Sequence, residues 1–276
     1  MAWQVHHPSL SGAWYPKSAD RIRDFLSSAG IEAVSDSSCA AIAPHAGWSF
    51  SGKAAARAVA SLADSDLIIL IGGHLHASQS PQILPFSAYS TPLGMIESDA
   101  HFLEVLREEI DLVENPEPDN TTEVLLPLIA ALHPRTPVIL LRAAPNDKII
   151  GLVKAVEESS RRTGLRPALL GSTDLTHYGD PYGFTPRGNA ASAIDWVRAE
   201  NDKALIDAAL ELDWRGVIRA GLERRSACSS GAAAAAVYYA ELRGCTRGEL
   251  LSYHTSYEVS PGEIIVGYGA LTFPCH

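Results

Sequence analysis

The chain has 276 residues, 46% apolar and 20% charged, which is ample material for a packed core and excludes a disordered chain. Twenty-two Lys and Arg face 32 Asp and Glu for a net charge of -10, and no basic run could track a phosphate backbone, so nucleic acid is not an expected partner. The longest apolar stretches, such as Leu67 to Ile71 and Pro137 to Leu141, fall far short of the roughly 20 residues of a membrane span, and Met1 to Leu10 lacks a basic start followed by an apolar core, so a cytoplasmic protein with no membrane partner is expected.

No repeat, linker or charge block divides the sequence, and 1–276 reads as a single domain. Cys39 to Ile42 is a short apolar strand ending at Pro44, after which Ser51-Gly52 opens an alanine-rich helix to Leu62. Asp66 to Ile71 is a continuous Leu/Ile run closed by Gly72-Gly73, the pattern of a strand buried on both faces. Phe102, Leu103, Leu106 and Ile110 recur at helical spacing within Ser98 to Ile110, and Thr121 to Leu132 repeats that pattern with Glu123 near its start. Thr136 to Leu141 reads as strand, Asn146 to Arg162 as helix, and Arg166 to Leu170 as a strand ending at Gly171. Such βαβ alternation implies parallel pairing and an α/β fold with helices on both faces of a mixed, mainly parallel central sheet. Helices follow at Trp196 to Leu212, Trp214 to Leu222 and Ser229 to Leu242. Glu249 to Ser256 and Glu263 to Phe273 are β-like and flank the turn residues Ser260-Pro261-Gly262, so a terminal hairpin is expected.

Three strands end in residues suited to a metal: His45 after the first, His74 and His76 after the second, Asp174 and His177 after the strand closed by Gly171. The carboxyl ends of parallel strands share one edge, and loops leaving it converge on a crevice. Singly, each histidine is an ordinary structural residue; together on one edge they point to a site. His6, His7, His101, His133 and His276 lie off this edge, and His254 reads as a satisfied sheet histidine.

The four cysteines are widely spaced and lack a CxxC pair, so neither a disulfide scaffold nor a structural zinc site is expected, and any cysteine that matters should act singly. Cys228 sits at or just before the start of an alanine-rich helix, where free backbone N–H groups and the helix dipole favour a thiolate. Cys39, Cys245 and Cys275 fit the role of small buried filler. Two neutral imidazoles and one thiolate would hold a divalent metal and leave positions open. The same residues allow a nucleophilic-cysteine hydrolase built on Cys228, His177 and Asp174, which leaves more histidines unexplained. Gly72-Gly73 and Gly52-Lys53 lack the spacing of nucleotide-binding loops.

These residues carry a resemblance to a known family. Gly12-Ala13-Trp14-Tyr15-Pro16, Ala43-Pro44-His45-Ala46-Gly47-Trp48 with Ser51-Gly52, the run Ser172-Thr173-Asp174-Leu175-Thr176-His177-Tyr178-Gly179, Cys228 before a helix, and Gly267-Tyr268-Gly269-Ala270-Leu271 occur in order along nearly the whole chain. In this the sequence resembles the MEMO family, including the bacterial AmmeMemoRadiSam system protein B. The resemblance implies a fold similar to LigB-like class III extradiol dioxygenases and a metal held by His, His and Cys, with iron or copper associated with the family. It implies His45 and Cys228 as ligands, and His177 and Asp174 as site-lining groups with catalytic parts. Where relatives have Gly-Pro-(Asn/Ser)-His this chain has Gly72-Gly73-His74-Leu75-His76, so His74 is the favoured second ligand and His76 the alternate. Trp48, Glu123 and Tyr178 are expected around the substrate pocket. Many relatives carry Glu-His-Ser-x-Glu-x-His-Leu-Pro where this chain has Asp119 to Pro127, so two histidines are missing while Glu123, Leu126 and Pro127 persist.

The expected activity is that of a mononuclear non-haem Fe(II) oxidoreductase, with copper or zinc as alternative metals, acting on a phenolic or other small aromatic substrate. In that reading His177 is the general acid/base and Asp174 orients it or ligates. The alternative is a metal-binding adaptor that recognises a peptide or protein through the same pocket. The family resemblance further suggests AMMECR1-like and radical SAM partner proteins.

Overall fold

The computed structural model describes residues 4–31, 38–117 and 119–275. In chain order these form β1 (Val5–His6), α1 (Ala19–Ser28), β2 (Ser38–Ala43), α2 (Trp48–Ala60), β3 (Leu67–Gly72), β4 (Gln82–Ile83), β5 (Ala88–Thr91), β6 (Gly94–Glu97), α3 (Ala100–Glu109) and β7 (Val113–Glu114). Then come α4 (Asn120–Glu123), α5 (Leu126–Leu132), β8 (Val138–Arg142), α6 (Lys148–Thr163), β9 (Pro167–Ser172), β10 (His177–Tyr178) and α7 (Ala190–Trp196). The last elements are α8 (Lys203–Leu210), α9 (Trp214–Arg224), α10 (Ser230–Leu242), β11 (Glu249–Thr255), α11 (Ser256–Val259) and β12 (Ile265–Pro274).

The main sheet runs β10-β12-β2-β9-β3-β8-β4-β7, with β11 pairing β12. Its centre, β2-β9-β3-β8, is parallel, and β12 closes one side antiparallel to β2, giving the mixed α/β sheet expected from the βαβ rhythm. Alternation along β3 shows why that strand is apolar throughout. Ile69 and Ile71 pack into the core beneath α3, α6 and α10, whereas Ile68 and Leu70 face the opposite core, built from α1, α2 and α5. Helix α10 is sheathed on all sides, and Ala232 through Ala236 are completely buried, as a helix apolar all round must be.

Several expectations need correction. The helix expected over Thr121 to Leu132 is two, α4 and α5, interrupted at Val124-Leu125. Pro127 has no N–H to donate to the Glu123 carbonyl and would crowd it, so one continuous helix cannot form. The helix expected from Trp196 to Leu212 begins earlier as α7, passes through a π-helical stretch over Val197–Asp202, and ends with α8 at Leu210. That wide turn presents Asn201 and Asp202 inward, where both side chains bond Thr176. The terminal strands do pair antiparallel, but α11 stands between them rather than a bare turn. A separate three-stranded sheet, β1-β5-β6, has strands too short to carry a period in the sequence.

The cysteines do not all act singly. Cys245 and Cys275 form a disulfide across 30 residues, and the free thiol of Cys39 lies beside them. His276, read above as lying off the edge, falls outside the described residues. Among the described residues no helix is long and apolar enough to cross a membrane.

Candidate metal centre

At the carboxyl edge of the parallel strands the chain leaving β2 turns at Pro44 into His45, which is buried. Parallel register sets Ala43 of β2 against Ser172, the last residue of β9. Ser172 Oγ therefore reaches His45 Nδ1 at 2.9 Å, and this contact orients the imidazole with Nε2 facing the other way. The next carboxyl group down the chain, Asp174, accepts the His45 backbone N–H at 2.7 Å and a second bond from the Ala46 N–H. Its own carbonyl receives the Cys228 N–H at 3.2 Å, while Thr173 Oγ1 receives the Ser229 N–H at 3.0 Å. One loop thus holds both the histidine turn and the segment that leads into α10.

Cys228 Sγ lies 3.3 Å from His45 Nε2. His74, on the loop after β3, brings its ring centroid to 5.3 Å from that of His45. Gly73 takes φ +97° there and donates its N–H to Thr121 Oγ1 at 2.8 Å, so the backbone turns sharply enough to aim His74 at the centre. The ligand atoms of His45, His74 and Cys228 all lie within 4.8 Å of one another.

His76 does not join them. It is exposed, and its Nδ1 is 2.9 Å from Ser78 Oγ within its own turn. Side chains two residues apart on this loop leave in different directions, and only His74 meets the cavity.

Electrostatics at the centre are set mainly by burial. Loss of water, reinforced by the neighbouring His74, pushes the His45 pKa down to about 3, so its ring is neutral, the form that binds metal. Burial raises Asp174 to about 6 and, with the Asp174 charge, raises the Cys228 thiol to about 12. Cys228 precedes α10 by two residues, and the desolvation that raises its thiol opposes the thiolate that a helix start favours. A coordinated cation would reverse this, since a coordinating thiol is deprotonated by the ion's own charge. Burial also lowers the His177 pKa, and Asp174 partly opposes that shift.

A cavity of about 850 Å³ opens in front of these groups. His45, His74, Asp174, His177 and Cys228 line it, together with Trp14, Phe50, Asn120, Tyr182, Arg225 and Tyr268, which sequence reasoning did not select. His177 packs against the Tyr182 ring at 4.8 Å. Arg225 donates to the Tyr182 and Gly183 carbonyls at 2.8 and 2.9 Å and lies over the Phe184 ring, tying that wall to the end of α9. Asp174 does not orient His177 by a hydrogen bond; its acceptor atoms are engaged by the His45 turn, and the two side chains interact only through charge.

Three residues expected around the substrate lie elsewhere. Trp48 is buried, donates Nε1–H to the Val124 carbonyl at 3.0 Å, and stacks on Phe25. Glu123 is buried beneath the N-terminal segment, where it accepts from the Ser9 and Leu10 N–H groups and from the Ser9 and Tyr15 hydroxyls. Tyr178 is wholly buried in a side cluster with Phe184 and Trp196, its hydroxyl donating to the Gly188 carbonyl and accepting the Arg187 N–H. Trp48 and Tyr178 adjoin residues that do reach the cavity, Gly47, Ser49 and His177, while Glu123 lies one helical turn from Asn120, which also lines it. His254 bonds the Phe50 carbonyl at 2.8 Å and lines a neighbouring cleft instead.

Comparison with known proteins places this arrangement among relatives. The model of the family described as Memo-like protein matches residues 6–272. A MEMO1 family protein of Thermococcus kodakarensis is 30% identical, over 98% of this chain and 99% of its own length. One from Pyrococcus furiosus is 30% identical over 97% and 98%, and one from Archaeoglobus fulgidus 26% identical over 98% and 99%.

Proposed function

The chain belongs to the Memo-like family, and on that premise we propose that His45, His74 and Cys228 hold one divalent transition metal, iron(II), in a non-haem oxidoreductase acting on a small phenolic substrate. The observation that carries the reading is the His45 Nε2 to Cys228 Sγ approach of 3.3 Å, with the His74 ring adjacent and all three residues facing one cavity. The donor set fits: two imidazoles and one thiol suit a borderline-to-soft first-row ion, and three protein ligands leave positions for small molecules. When bound, the ion supplies Lewis acidity and one-electron redox chemistry.

The protein's own groups do the rest. Trp14, Phe50, Tyr182 and Tyr268 provide aromatic and apolar walls that exclude water and pack against a flat ring. Asn120 offers a polar edge from the mouth of α4. His177, kept neutral by burial, can accept the proton of a phenolic hydroxyl at Nδ1 or Nε2 and return it later, with the Tyr182 ring holding its plane. Asp174 acts as a positioning residue through the His45 turn.

The test is oxygen uptake by anaerobically prepared, Fe(II)-loaded protein against a panel of catechols. Turnover is expected with at least one, and His177→Ala should lower it about 10²- to 10⁴-fold while iron stays bound. Iron retained without uptake on any catechol overturns the oxygenase reading and favours the adaptor reading, which a peptide bound at the same cavity would then support.

A further inference from the structure

A second group of soft donors gathers at the far end of β2. Cys39 is the second residue of that strand and His45 follows its end, so about 20 Å separates the two clusters at the rise of an extended chain. Three local devices deliver the sulfurs. Antiparallel pairing sets Pro274 of β12 against Ser38 of β2, with a bulge between Phe273 and Pro274, and this places Cys275 Sγ 2.7 Å from Cys39 Sγ. At the end of α10, Gly244 takes φ +82°, its N–H bonds the Glu241 carbonyl at 3.0 Å, and the Cys245 N–H bonds the Ala240 carbonyl at 3.1 Å. This left-handed cap folds Cys245 back onto the sheet, where its Sγ lies 3.5 Å from Cys39 Sγ.

The three sulfurs are within 4.8 Å of one another, and each stands within 3.8 Å of a single oxygen, the Phe273 carbonyl. Cys245 and Cys275 are joined as a disulfide. A disulfide uses two cysteines; it gives no reason for a third sulfur and a carbonyl to converge on the same point. Burial pushes the Cys39 thiol up to about 12 and Arg243, tethered by Glu157 at 3.6 Å, opposes that from one side, so a thiolate here needs the charge of a coordinated cation. Three thiolates around a divalent ion leave one negative charge, which a neighbouring guanidinium offsets. Cys39 and Cys275 are only partly buried, so an ion can enter.

We propose that Cys39, Cys245 and Cys275, in their reduced form, bind one thiophilic d¹⁰ cation of the zinc(II) class, at a site separate from the His45–Cys228 centre. The disulfide and metal states exclude each other because they share two sulfurs. A dithiol reductant gives two electrons and two protons to the Cys245–Cys275 bond and becomes a disulfide itself; the three thiols then release their protons to water as sulfur–metal bonds form. Thiolate donors select zinc(II) or copper(I) over iron(II) and magnesium. The bound ion would join the start of β2, the end of α10 and the end of β12.

The test uses the full chain carrying His45→Ala and Cys228→Ala, reduced without oxygen by a phosphine and titrated with cobalt(II), then zinc(II). Expected are one ion per chain, a strong thiolate-to-cobalt charge-transfer band that zinc abolishes, and a melting temperature that rises with zinc. Cys39→Ser in that background should weaken binding about tenfold or more and cut the band by roughly a third. If the double variant does not fold, the same titration of the otherwise unaltered chain should show Cys39→Ser removing one equivalent of zinc. Three alkylatable thiols with no charge-transfer band and no retained zinc would overturn the proposal. So would a Cys39→Ser chain that binds unchanged, which would leave an ordinary disulfide pair. Neither result bears on iron binding by the first centre.

Discussion

His45 Nε2 and Cys228 Sγ, 183 residues apart in the chain, stand 3.3 Å from each other. Neither group has a reason to be there on stability grounds, because a buried imidazole and a partly buried thiol, both held neutral, form only a weak contact. Loading with iron(II) or zinc(II) followed by elemental analysis should give one metal in the unaltered chain at this centre. His45→Ala and Cys228→Ser should each lose most of it, and His74→Ala should weaken it. His76→Ala should change nothing, since that ring is turned to Ser78. Equal loss from His74→Ala and His76→Ala would contradict the geometry.

Ser172 does not line the cavity but fixes the His45 ring through Nδ1. Ser172→Ala should therefore lower metal affinity about 10- to 100-fold, as loss of an outer partner of a ligating imidazole does, while the melting temperature of the metal-free protein moves little. Competition with a chelator of known affinity measures the first, calorimetry the second.

Gly231 lies in the first turn of α10, and a Cβ there would come within 2.5 Å of the Ala143 carbonyl oxygen. Backbone cannot give way as a flexible side chain can. Gly231→Ala should push α10 off the sheet edge, costing about 1–3 kcal/mol of stability and loosening the metal centre, because Cys228 precedes the same helix. Chemical denaturation and metal titration on one preparation check both effects together.

Glu123 separates stability from chemistry. Its carboxyl oxygens accept four hydrogen bonds from Ser9, Leu10 and Tyr15, none of them in the cavity. Glu123→Ala should leave those donors unpaired and cost roughly 3 kcal/mol, with affinity for metal in the folded protein unchanged. A variant of normal stability but altered metal binding would place Glu123 in the site after all.

Asp202 supplies a pH dependence remote from the metal ligands. Burial raises its carboxyl from 3.8 to about 6, although Thr176 and Tyr253 bond it. Between those values the folded chain binds the proton more tightly than the unfolded chain does. Its contribution therefore destabilises the fold fully above about pH 6, and the penalty disappears as pH falls through 6 toward 3.8. Asp202→Asn removes this dependence. The melting temperature of the unaltered chain minus that of Asp202→Asn should rise as pH is lowered from 7 to about 4, and a flat difference would refute the assignment.

The parallel core was legible from the chain alone because each of its strands is a continuous apolar run closed by a polar or glycine-containing turn, as in Leu67–Gly72, and that pattern has few other uses. Helix α1 carries an equally clear local signature: Ser18 caps it, Asp20 follows, and Ile22, Phe25 and Leu26 recur at helical spacing. The break before Pro127 and the π-helical turn before α8 were harder, since one depends on a single missing N–H and the other on where Asn201 and Asp202 find partners.

Residue types and their position after strands β2, β3 and β9 were sufficient to nominate His45, a histidine of the Gly72-Gly73 loop, Asp174, His177 and Cys228, because chemistry restricts which side chains bind metals or move protons. Which way each side chain points was decided only by the assembled fold. His74 faces the cavity while His76, two residues further along the loop, is turned to Ser78, and Trp48, Glu123 and Tyr178 turn away from the cavity into packed interior. The meeting of Cys39, Cys245 and Cys275 is likewise a tertiary fact. A β-bulge, a helix cap and a strand start, each ordinary in isolation, converge only because β12 lies beside β2 with α10 packed across them.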